Sequence, residues 1–263
     1  MPDTERFLEG MHAVVTGGSR GIGAAIAADF VDRGARVTIM GRSVETLELQ
    51  AQKLRGERGV TVSVEECDVS DAESVSNAFA RSVGTLGPVQ ILVNNAGTAK
   101  SRLFTQTTRE IWDELIAVNL TGTYLCTSEV VPGMMEAKAG RIVNVASTAG
   151  LRGYKTMAAY CASKHGVIGM TRALAQETAK HGITVNAVCP SYTDTYLTSL
   201  AVNNIVTNLG KSENEAKGMI TGVIARGTLI TVDEVASAVS WLCSSAASGV
   251  TGIALPISGG EIA

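Results

Sequence analysis

The residues that usually hold metals or disulfides are scarce in this sequence. Histidine occurs three times, and the five cysteines stand far apart, with no C-x-x-C pair among them. A structural zinc site needs closely spaced His and Cys ligands, and a disulfide framework needs paired cysteines. We therefore expect no metal, and five reduced cysteines that lie mostly in the core.

Long apolar runs and clusters of basic residues are also missing. No stretch reaches the ~18 apolar residues of a membrane span, and the first residues are charged, unlike a secretory signal. The net charge is −3, and Lys and Arg concentrate nowhere in the way a nucleic-acid footprint requires. We expect a cytoplasmic protein with no membrane or nucleic-acid partner.

The remaining composition is that of a close-packed globular α/β protein. Hydrophobic residues make up 45%, charged residues 18% and aromatic residues only 4%, with 28 glycines. A chain of 263 residues could form one domain or two. Since no Pro/Ser-rich linker or repeat interrupts it, we predict one domain over residues 1–263.

Short β-branched runs alternate with longer helical patterns along the whole chain, which is typical of a parallel sheet covered by helices on both faces. The predicted strands are Ala13–Thr16, Arg36–Met40, Thr61–Glu65, Ile91–Asn94, Arg141–Ala146, Thr184–Val188 and Gly252–Pro256. The predicted helices are Gly21–Arg33, Val44–Arg55, Asp71–Val83, Arg109–Val131, Met157–Lys180 and Val232–Ser244. This order predicts a single-domain Rossmann fold, a doubly wound seven-stranded parallel sheet.

Residues 191–228 form the one irregular stretch, rich in Thr, Asn and Gly. They follow a late strand, where an open α/β sheet holds its ligand. We expect a substrate lid here; the alternative is a pair of surface helices that does not contact the ligand.

A glycine-rich turn joins the first strand to the first helix. Gly17, Gly21 and Gly23 allow a tight turn that brings the backbone close to a pyrophosphate, and the helix N-terminus offers free N–H groups. Such a turn can be merely structural, but its position after the first strand predicts a dinucleotide site.

The end of the second strand indicates which dinucleotide binds. NAD-selective sites place an Asp or Glu there for the ribose 2′-hydroxyl, whereas this chain has Arg42. A guanidinium suits a 2′-phosphate, and Arg20 adds a second charge nearby. NADP(H) is favoured; if Arg42 points into solvent instead, NAD(H) is the alternative.

Ser147 closes the fifth strand, and Tyr160 and Lys164 follow on one face of a helix, four residues apart. A nearby ammonium should stabilise the tyrosine phenolate and lower its pKa from about 10 toward neutrality. We predict that Tyr160 is the acid/base and that Ser147 hydrogen-bonds the substrate oxygen.

These motifs together, with Asn94-Asn95-Ala96-Gly97 after the fourth strand, resemble the short-chain dehydrogenase/reductase family over residues 10–260. The resemblance implies a catalytic tetrad of Asn119, Ser147, Tyr160 and Lys164, in which Asn119 holds a relay water and Lys164 also binds the nicotinamide ribose. It further implies Asp68 and Val69 at the adenine, and Asn95 and Gly97 along the adenosine. The implied cofactor-binding set is Gly17, Ser19, Arg20, Gly21, Ile22, Gly23, Arg42, Asp68, Val69, Asn95, Ala96, Gly97, Tyr160, Lys164, Pro190 and Thr195.

Two departures from the family pattern concern the cofactor loop and the last strand. Ser191 follows Pro190 where Pro-Gly is usual, and a serine adopts positive φ less readily than glycine, so the loop from Pro190 to Thr195 could differ. The second is Ile257-Ser258-Gly259-Gly260, where Asp-Gly-Gly is frequent.

Several residues and functions have competing interpretations. Cys161 could be a reactive thiol but fits a packed residue better, and His165 or His181 could relay protons that Tyr160 and Lys164 already handle. A catalytically silent cofactor-binding regulator would be expected to lack Tyr160 or Lys164. An epimerase or dehydratase on this scaffold would need a longer substrate domain.

The substrate is expected to be a small carbonyl or alcohol. Within the family the chain resembles 3-oxoacyl thioester and polyketide ketone reductases, usually homotetrameric; an NAD-dependent alcohol or 3-hydroxyacyl-CoA dehydrogenase working oxidatively is the alternative. Four basic residues after two active-site strands could attract a CoA- or acyl-carrier-linked substrate, or could be ordinary solvated charges: Lys100, Arg102, Arg152 and Lys155.

Overall fold

A computed structural model describes residues 6–55 and 61–262 of the chain. In this part of the chain the strands are β1 His12–Thr16, β2 Arg36–Gly41, β3 Val62–Glu66, β4 Ile91–Asn94, β5 Gly140–Val145, β6 Ile183–Pro190 and β7 Ala254–Ile257. The α-helices are α1 Gly21–Asp32, α2 Val44–Arg55, α3 Ala72–Leu86, α4 Arg109–Ile116, α5 Gly122–Ala137, α6 Ala158–Thr178, α7 Tyr196–Leu209, α8 Glu213–Thr221 and α9 Val232–Cys243.

The strands form one parallel, seven-stranded sheet in the order β3-β2-β1-β4-β5-β6-β7. The order reverses between β1 and β4, and in such sheets ligands bind outside the carboxyl ends of the strands at that reversal. The predicted Rossmann architecture is confirmed.

Both faces of the sheet are buried, which explains why its strands are apolar almost throughout. Neighbouring residues of β1 show the alternation: Val15 packs with α1, α2 and α9 on one face, and Val14 packs with α3 and α5 on the other. All five cysteines are buried free thiols, as predicted. Among the helices described, none is long and apolar enough to cross a membrane.

The predicted helix Arg109–Val131 is wrong in two respects. A π-helical turn, Ala117–Thr121, separates α4 from α5, and α5 continues through Pro132 to Ala137. A proline removes one helix hydrogen bond, but the apolar contacts that Val130 and Met134 make with the sheet continue on both sides of it, so packing outweighs local propensity.

Two smaller differences concern the region after β5. β6 runs to Pro190, longer than predicted, because its last residue still pairs with Ile257 of β7. Residues 191–228, expected to form a substrate lid or else a pair of surface helices, contain α7 and α8. Ser191, which stands where glycine is usual, is not among the described residues with positive φ, so the serine is accommodated without an unfavourable backbone angle.

Candidate active site

The glycine turn forms a cradle that side chains would fill. Gly17 and Gly21 have positive φ angles of 64° and 56°. A Cβ on Gly23 would overlap the Gly17 carbonyl oxygen, and one on Gly18 would lie 2.7 Å from an Ile39 methyl group. The close approach of the turn to β2 and to its own helix therefore requires glycine at these positions.

The first turn of α1 is suited to an anion. Arg20 is its N-cap but makes no side-chain cap hydrogen bond, and the turn contains no acidic residue. Unbonded N–H groups and the positive end of the helix dipole are what bind a phosphate at such a site. Ser19 lies half-buried in the turn, and Ile22 packs against the core. The geometry fits a dinucleotide pyrophosphate.

Asn95 braces this turn from β4. Its Nδ2 donates to the carbonyl oxygens of Thr16 (2.9 Å) and Gly17 (3.1 Å). The Thr16 hydroxyl in turn accepts from the backbone N–H groups of Asn95 and Ala96, each at 3.0 Å. The Asn95 amide nitrogen is thus bonded to the protein itself and positions the glycine turn.

Arg42 lies exposed just after β2, beside the end of β3. It lines an open cleft of about 370 Å³ with Glu66, Asp68, Ser74, Asn77 and Arg81. Asp68 accepts from the hydroxyl and N–H of Ser70, and these bonds together with Arg42 lower the pKa of its carboxyl. Val69 is buried against Gly122, where a Cβ would lie 2.8 Å from the Val69 carbonyl oxygen.

The segment after β6 folds back over the glycine turn. Thr195, the N-cap of α7, lies close enough that a Cβ on Gly21 would be 3.4 Å from its methyl group. The Arg20 guanidinium stacks on the Tyr196 ring, 5.1 Å from its centroid. The sequence placed Arg20 near a 2′-phosphate and did not indicate this aromatic partner, since the two residues are 176 positions apart and no local pattern signals the contact.

Ser147, Tyr160 and Lys164 meet at the carboxyl end of β5. The Ser147 side chain hydrogen-bonds the Tyr160 hydroxyl and also accepts from Ala149 N–H at 3.1 Å. Lys164 Nζ donates to the Val145 carbonyl oxygen at 2.8 Å and lies 5.8 Å from the Tyr160 ring centroid. Two hydroxyls and one ammonium thus converge at the end of one strand.

The predicted direction of the Tyr160 pKa is wrong for this structure. Burial raises it to about 12, and the hydrogen bond from Ser147 lowers it only in part. Burial also lowers the pKa of Lys164 to about 8. Desolvation disfavours whichever form is charged, so the phenolate and the ammonium are both destabilised here. Tyr160 is therefore protonated at neutral pH.

Asn119 lies in the π-helical turn between α4 and α5, buried beneath the loop that follows β4. Its Oδ1 accepts from Thr98 N–H at 2.8 Å, while its Nδ2 donates to Thr98 O at 2.9 Å and to the Ser163 hydroxyl at 3.1 Å. π-Helical turns recur at functional sites. Gly97 is next to it: a Cβ there would be 3.2 Å from Asn119 Oδ1 and 3.7 Å from Lys164 Nζ.

Two of the four basic residues near the site are already paired. Lys100 forms an ion pair with Glu114, and Arg152 Nη2 lies 2.8 Å from Glu261 Oε1. Glu261 is a residue that sequence reasoning missed, because it is 109 positions from Arg152 and belongs to no motif. The predicted basic rim is therefore partly neutralised by carboxylates.

Comparison with known proteins gives consistent results. A family model described as short chain dehydrogenase matches residues 11–205. A granaticin polyketide synthase putative ketoacyl reductase of Streptomyces violaceoruber is 40% identical, over 94% of this chain and 92% of that protein. The 3-oxoacyl-acyl-carrier-protein reductase FabG of Aquifex aeolicus is 35% identical, over 96% and 98%.

A solved structure gives the same picture of the backbone. A variant of actinorhodin polyketide ketoreductase, crystallised with NADPH, superposes with a TM-score of 0.92 at 38% identity. The match covers 95% of this chain and 97% of that one.

Proposed function

Because the chain belongs to the short chain dehydrogenase family of oxidoreductases, we propose that it reduces a ketone to a secondary alcohol with NADPH. The substrate is a 3-oxoacyl thioester or a related ketone. Relatives named as ketoacyl reductases and a solved neighbour that carries NADPH support this assignment.

The protonated Tyr160 hydroxyl beside Ser147 is the observation that carries the proposal. A pKa of about 12 leaves Tyr160 with its proton at neutral pH. Reduction of a ketone needs a proton donor at the carbonyl oxygen, whereas oxidation of an alcohol needs a base. A protonated Tyr160 can therefore serve as the proton donor for reduction, and the relatives named as ketoacyl reductases favour this direction.

The members of the tetrad have different roles in this reaction. Ser147 and Tyr160 hydrogen-bond the substrate carbonyl oxygen, and Tyr160 donates its proton to it. The Lys164 ammonium, one helical turn further on, stabilises the phenolate that remains. Asn119 holds the loop after β4 against the catalytic helix through Thr98 and Ser163.

NADPH would supply the hydride. We assign its pyrophosphate to the glycine turn and the first turn of α1, its adenine to Asp68 and Val69, and its 2′-phosphate to Arg42. The nicotinamide end goes to Lys164 and to the segment from Pro190 to Thr195. NAD(H) is the alternative, because Arg42 is exposed and Arg20 already stacks on Tyr196.

A CoA or acyl carrier attached to the substrate is part of the same proposal. With Lys100 and Arg152 paired to carboxylates, electrostatic attraction of such a carrier is weaker than four unpaired cations would give. The carrier would then contribute through contacts near the mouth of the site more than through long-range attraction.

We also propose that residues 1–263 act as one domain with residues 191–228 as the lid, and that the chain is a cytoplasmic homotetramer. The contacts of Thr195 with Gly21 and of Tyr196 with Arg20 favour a lid over a helix pair remote from the site.

The proposed tetramer is supported by two exposed aromatic side chains, Trp112 on α4 and Tyr124 on α5, which favour a helix-to-helix interface. Sedimentation that finds a monomer at micromolar concentration would contradict the tetramer.

The deciding experiment follows NADPH and NADH consumption with acetoacetyl-CoA, with a small neutral 3-oxo ester and with a simple ketone. The reverse reaction is tested with the corresponding alcohols and both oxidised cofactors. We expect NADPH-dependent reduction of at least one 3-oxo compound. Oxidation with NAD alone would favour the dehydrogenase alternative, and the absence of any turnover would favour a silent cofactor-binding protein.

A further inference from the structure

Glu261 is the buried centre of a cluster that joins three segments beside the catalytic residues. Only 1% of its side chain is exposed. Its Oε1 accepts from Arg152 Nη2 at 2.8 Å and from the Tyr154 hydroxyl at 2.5 Å, and its Oε2 accepts from the Ser191 hydroxyl. A buried carboxylate with three donors is well satisfied, and losing it would leave several polar groups without a partner.

The three segments all follow the carboxyl ends of adjacent strands. Arg152 and Tyr154 come after β5, Ser191 directly after β6, and Glu261 after β7. Ligands of open α/β sheets bind outside these ends. The cluster is therefore beside the crevice in which Ser147 and Tyr160 lie.

The segment that carries Glu261 is itself fixed. The Ser258 hydroxyl donates to Ile262 O and accepts from Ile262 N–H, and Glu261 N–H donates to Ser258 O at 3.1 Å. Gly259 O accepts from Arg226 N–H at 2.9 Å. A tight turn after β7 thus presents the carboxylate to the two other loops.

One branch of the cluster leads to Ser147. The Tyr154 hydroxyl lies 2.9 Å from Thr148 Oγ1 as well as beside the carboxylate. A phenol has one proton, which goes to the carboxylate because that group can only accept, so Thr148 donates to Tyr154. Thr148 is the residue directly after Ser147, and this branch therefore fixes the backbone beside the serine.

The other branch leads through the loop after β6 toward Tyr160. Ser191 is followed by Tyr192, which is near enough to Tyr160 to add to the effect of burial in raising the Tyr160 pKa. Ser191 also begins the segment that ends at Thr195 against the glycine turn. The two positions at which the sequence departs from the family pattern, 191 and 258, are thus both used to hold Glu261.

We propose that Glu261 is a positioning residue for the reaction, because it holds Tyr154 and Ser191 in place on the two loops beside Tyr160. The proposal rests on the proposed function for its kinetic consequence. It makes Arg152 a partner of Glu261, so that the exposed guanidinium is paired with a buried carboxylate and its charge is partly neutralised toward a carrier.

The kinetic test compares Glu261→Ala, Glu261→Gln and the wild type, with kcat expressed per NADPH-binding site. We expect Glu261→Ala to lower kcat about tenfold or more, since a misplacement of about 1 Å can cost on the order of a hundredfold. NADPH affinity should change less than about threefold, because the first turn of α1 is not touched. Glu261→Gln should recover most of the loss, because its amide can still bond both hydroxyls.

A double-mutant cycle tests the route through the loop after β6. Ser191→Ala as a single substitution should lower kcat, but it should lower kcat no further in the Glu261→Ala background. The effects of substitutions within one network are not additive. Asp29→Asn is the matched control: Asp29 also accepts from an arginine and a serine, Arg33 and Ser240, but in the α1–α9 contact. It should leave kcat per site unchanged.

Hydrogen exchange gives a readout that needs no turnover. Glu261→Ala should speed exchange of the backbone amides in 148–157 and 190–195 while leaving those of β1 and α1 at the wild-type rate. Unchanged exchange in both loops, or unchanged kcat per site in an active enzyme, overturns the proposal. If the wild type reduces no ketone, the proposed function fails, and exchange still decides whether Glu261 orders the two loops.

Discussion

Asn119 bonds the backbone of Thr98 with both ends of its side-chain amide, accepting at 2.8 Å and donating at 2.9 Å. The pair closes a ring between the π-helical turn and the loop that follows β4. The same Nδ2 reaches the Ser163 hydroxyl on α6, so one buried amide joins three elements that surround Lys164.

We predict that Asn119→Ala destabilises the protein by about 1–3 kcal/mol or more, since it leaves the Thr98 groups unbonded, and each buried unsatisfied group costs about that much. Asn119→Asp should be comparably harmful, because it keeps the acceptor but sets a second oxygen against Thr98 O. Urea unfolding measures both. The exposed Asn204→Ala serves as the control, and equal midpoints for all variants would contradict the bracing role.

Tyr160→Phe should keep the fold and NADPH affinity but lose nearly all turnover. The ring still packs, whereas the donor hydroxyl is gone, and general acid catalysis contributes about 10²–10⁴-fold. Steady-state kinetics and cofactor titration measure the two effects separately. Tyr124→Phe removes the same hydroxyl from a side chain that is 57% exposed and keeps the ring proposed for the interface, so it should retain the wild-type kcat. Retention of more than about a tenth of kcat by Tyr160→Phe would exclude the assigned role.

Arg42→Asp should raise KM for NADPH far more than KM for NADH. A charge-assisted hydrogen bond contributes about 1.5–3 kcal/mol, which corresponds to roughly 10- to 100-fold in affinity, and the substitution adds repulsion. The comparison requires both cofactors at a fixed ketone concentration. Lys53→Asp makes the same charge change at an exposed position in α2 and should affect neither KM. An equal rise in KM for NADPH and NADH would show that Arg42 does not bind the 2′-phosphate.

His12 should make the protein less stable in mild acid. Burial lowers the pKa of its imidazole, although a bond to Gly87 O opposes this, and the ring is fully enclosed with Thr38 at 2.9 Å. Its folded pKa is below the unfolded value of about 6.5, so the unfolded chain binds the proton first. The free energy of unfolding should fall as the pH drops below about 6.5.

Urea midpoints at several pH values between neutral and mildly acidic test this dependence. His12→Gln should be less stable at neutral pH, because it loses the packed ring, but its midpoint should change less with pH. The control His165→Gln leaves the buried His12 ring in place and should retain the wild-type dependence of the midpoint on pH. A slope that is the same for wild type and His12→Gln would show that His12 does not cause the acid sensitivity.

Local sequence signals were sufficient for the architecture. Alternation of apolar runs with helical periodicity is set by neighbouring residues, and the predicted strands β1, β2 and β4 differ from the observed ones by at most one residue at either end. The predicted ends of elements were wrong where tertiary packing outweighs local propensity. Helix α5 continues through Pro132, and the last residue of β6 pairs with its partner in β7.

The same distinction applies to the site. Spacing alone put Tyr160 and Lys164 on one helix face and placed the glycines between a strand and a helix, because both features are local. Whether Tyr160 holds its proton, whether Arg152 has a carboxylate partner and where Glu261 lies were decided only by the tertiary structure. Desolvation and long-range pairing depend on which segments the sheet order brings together, and no short stretch of sequence contains that information.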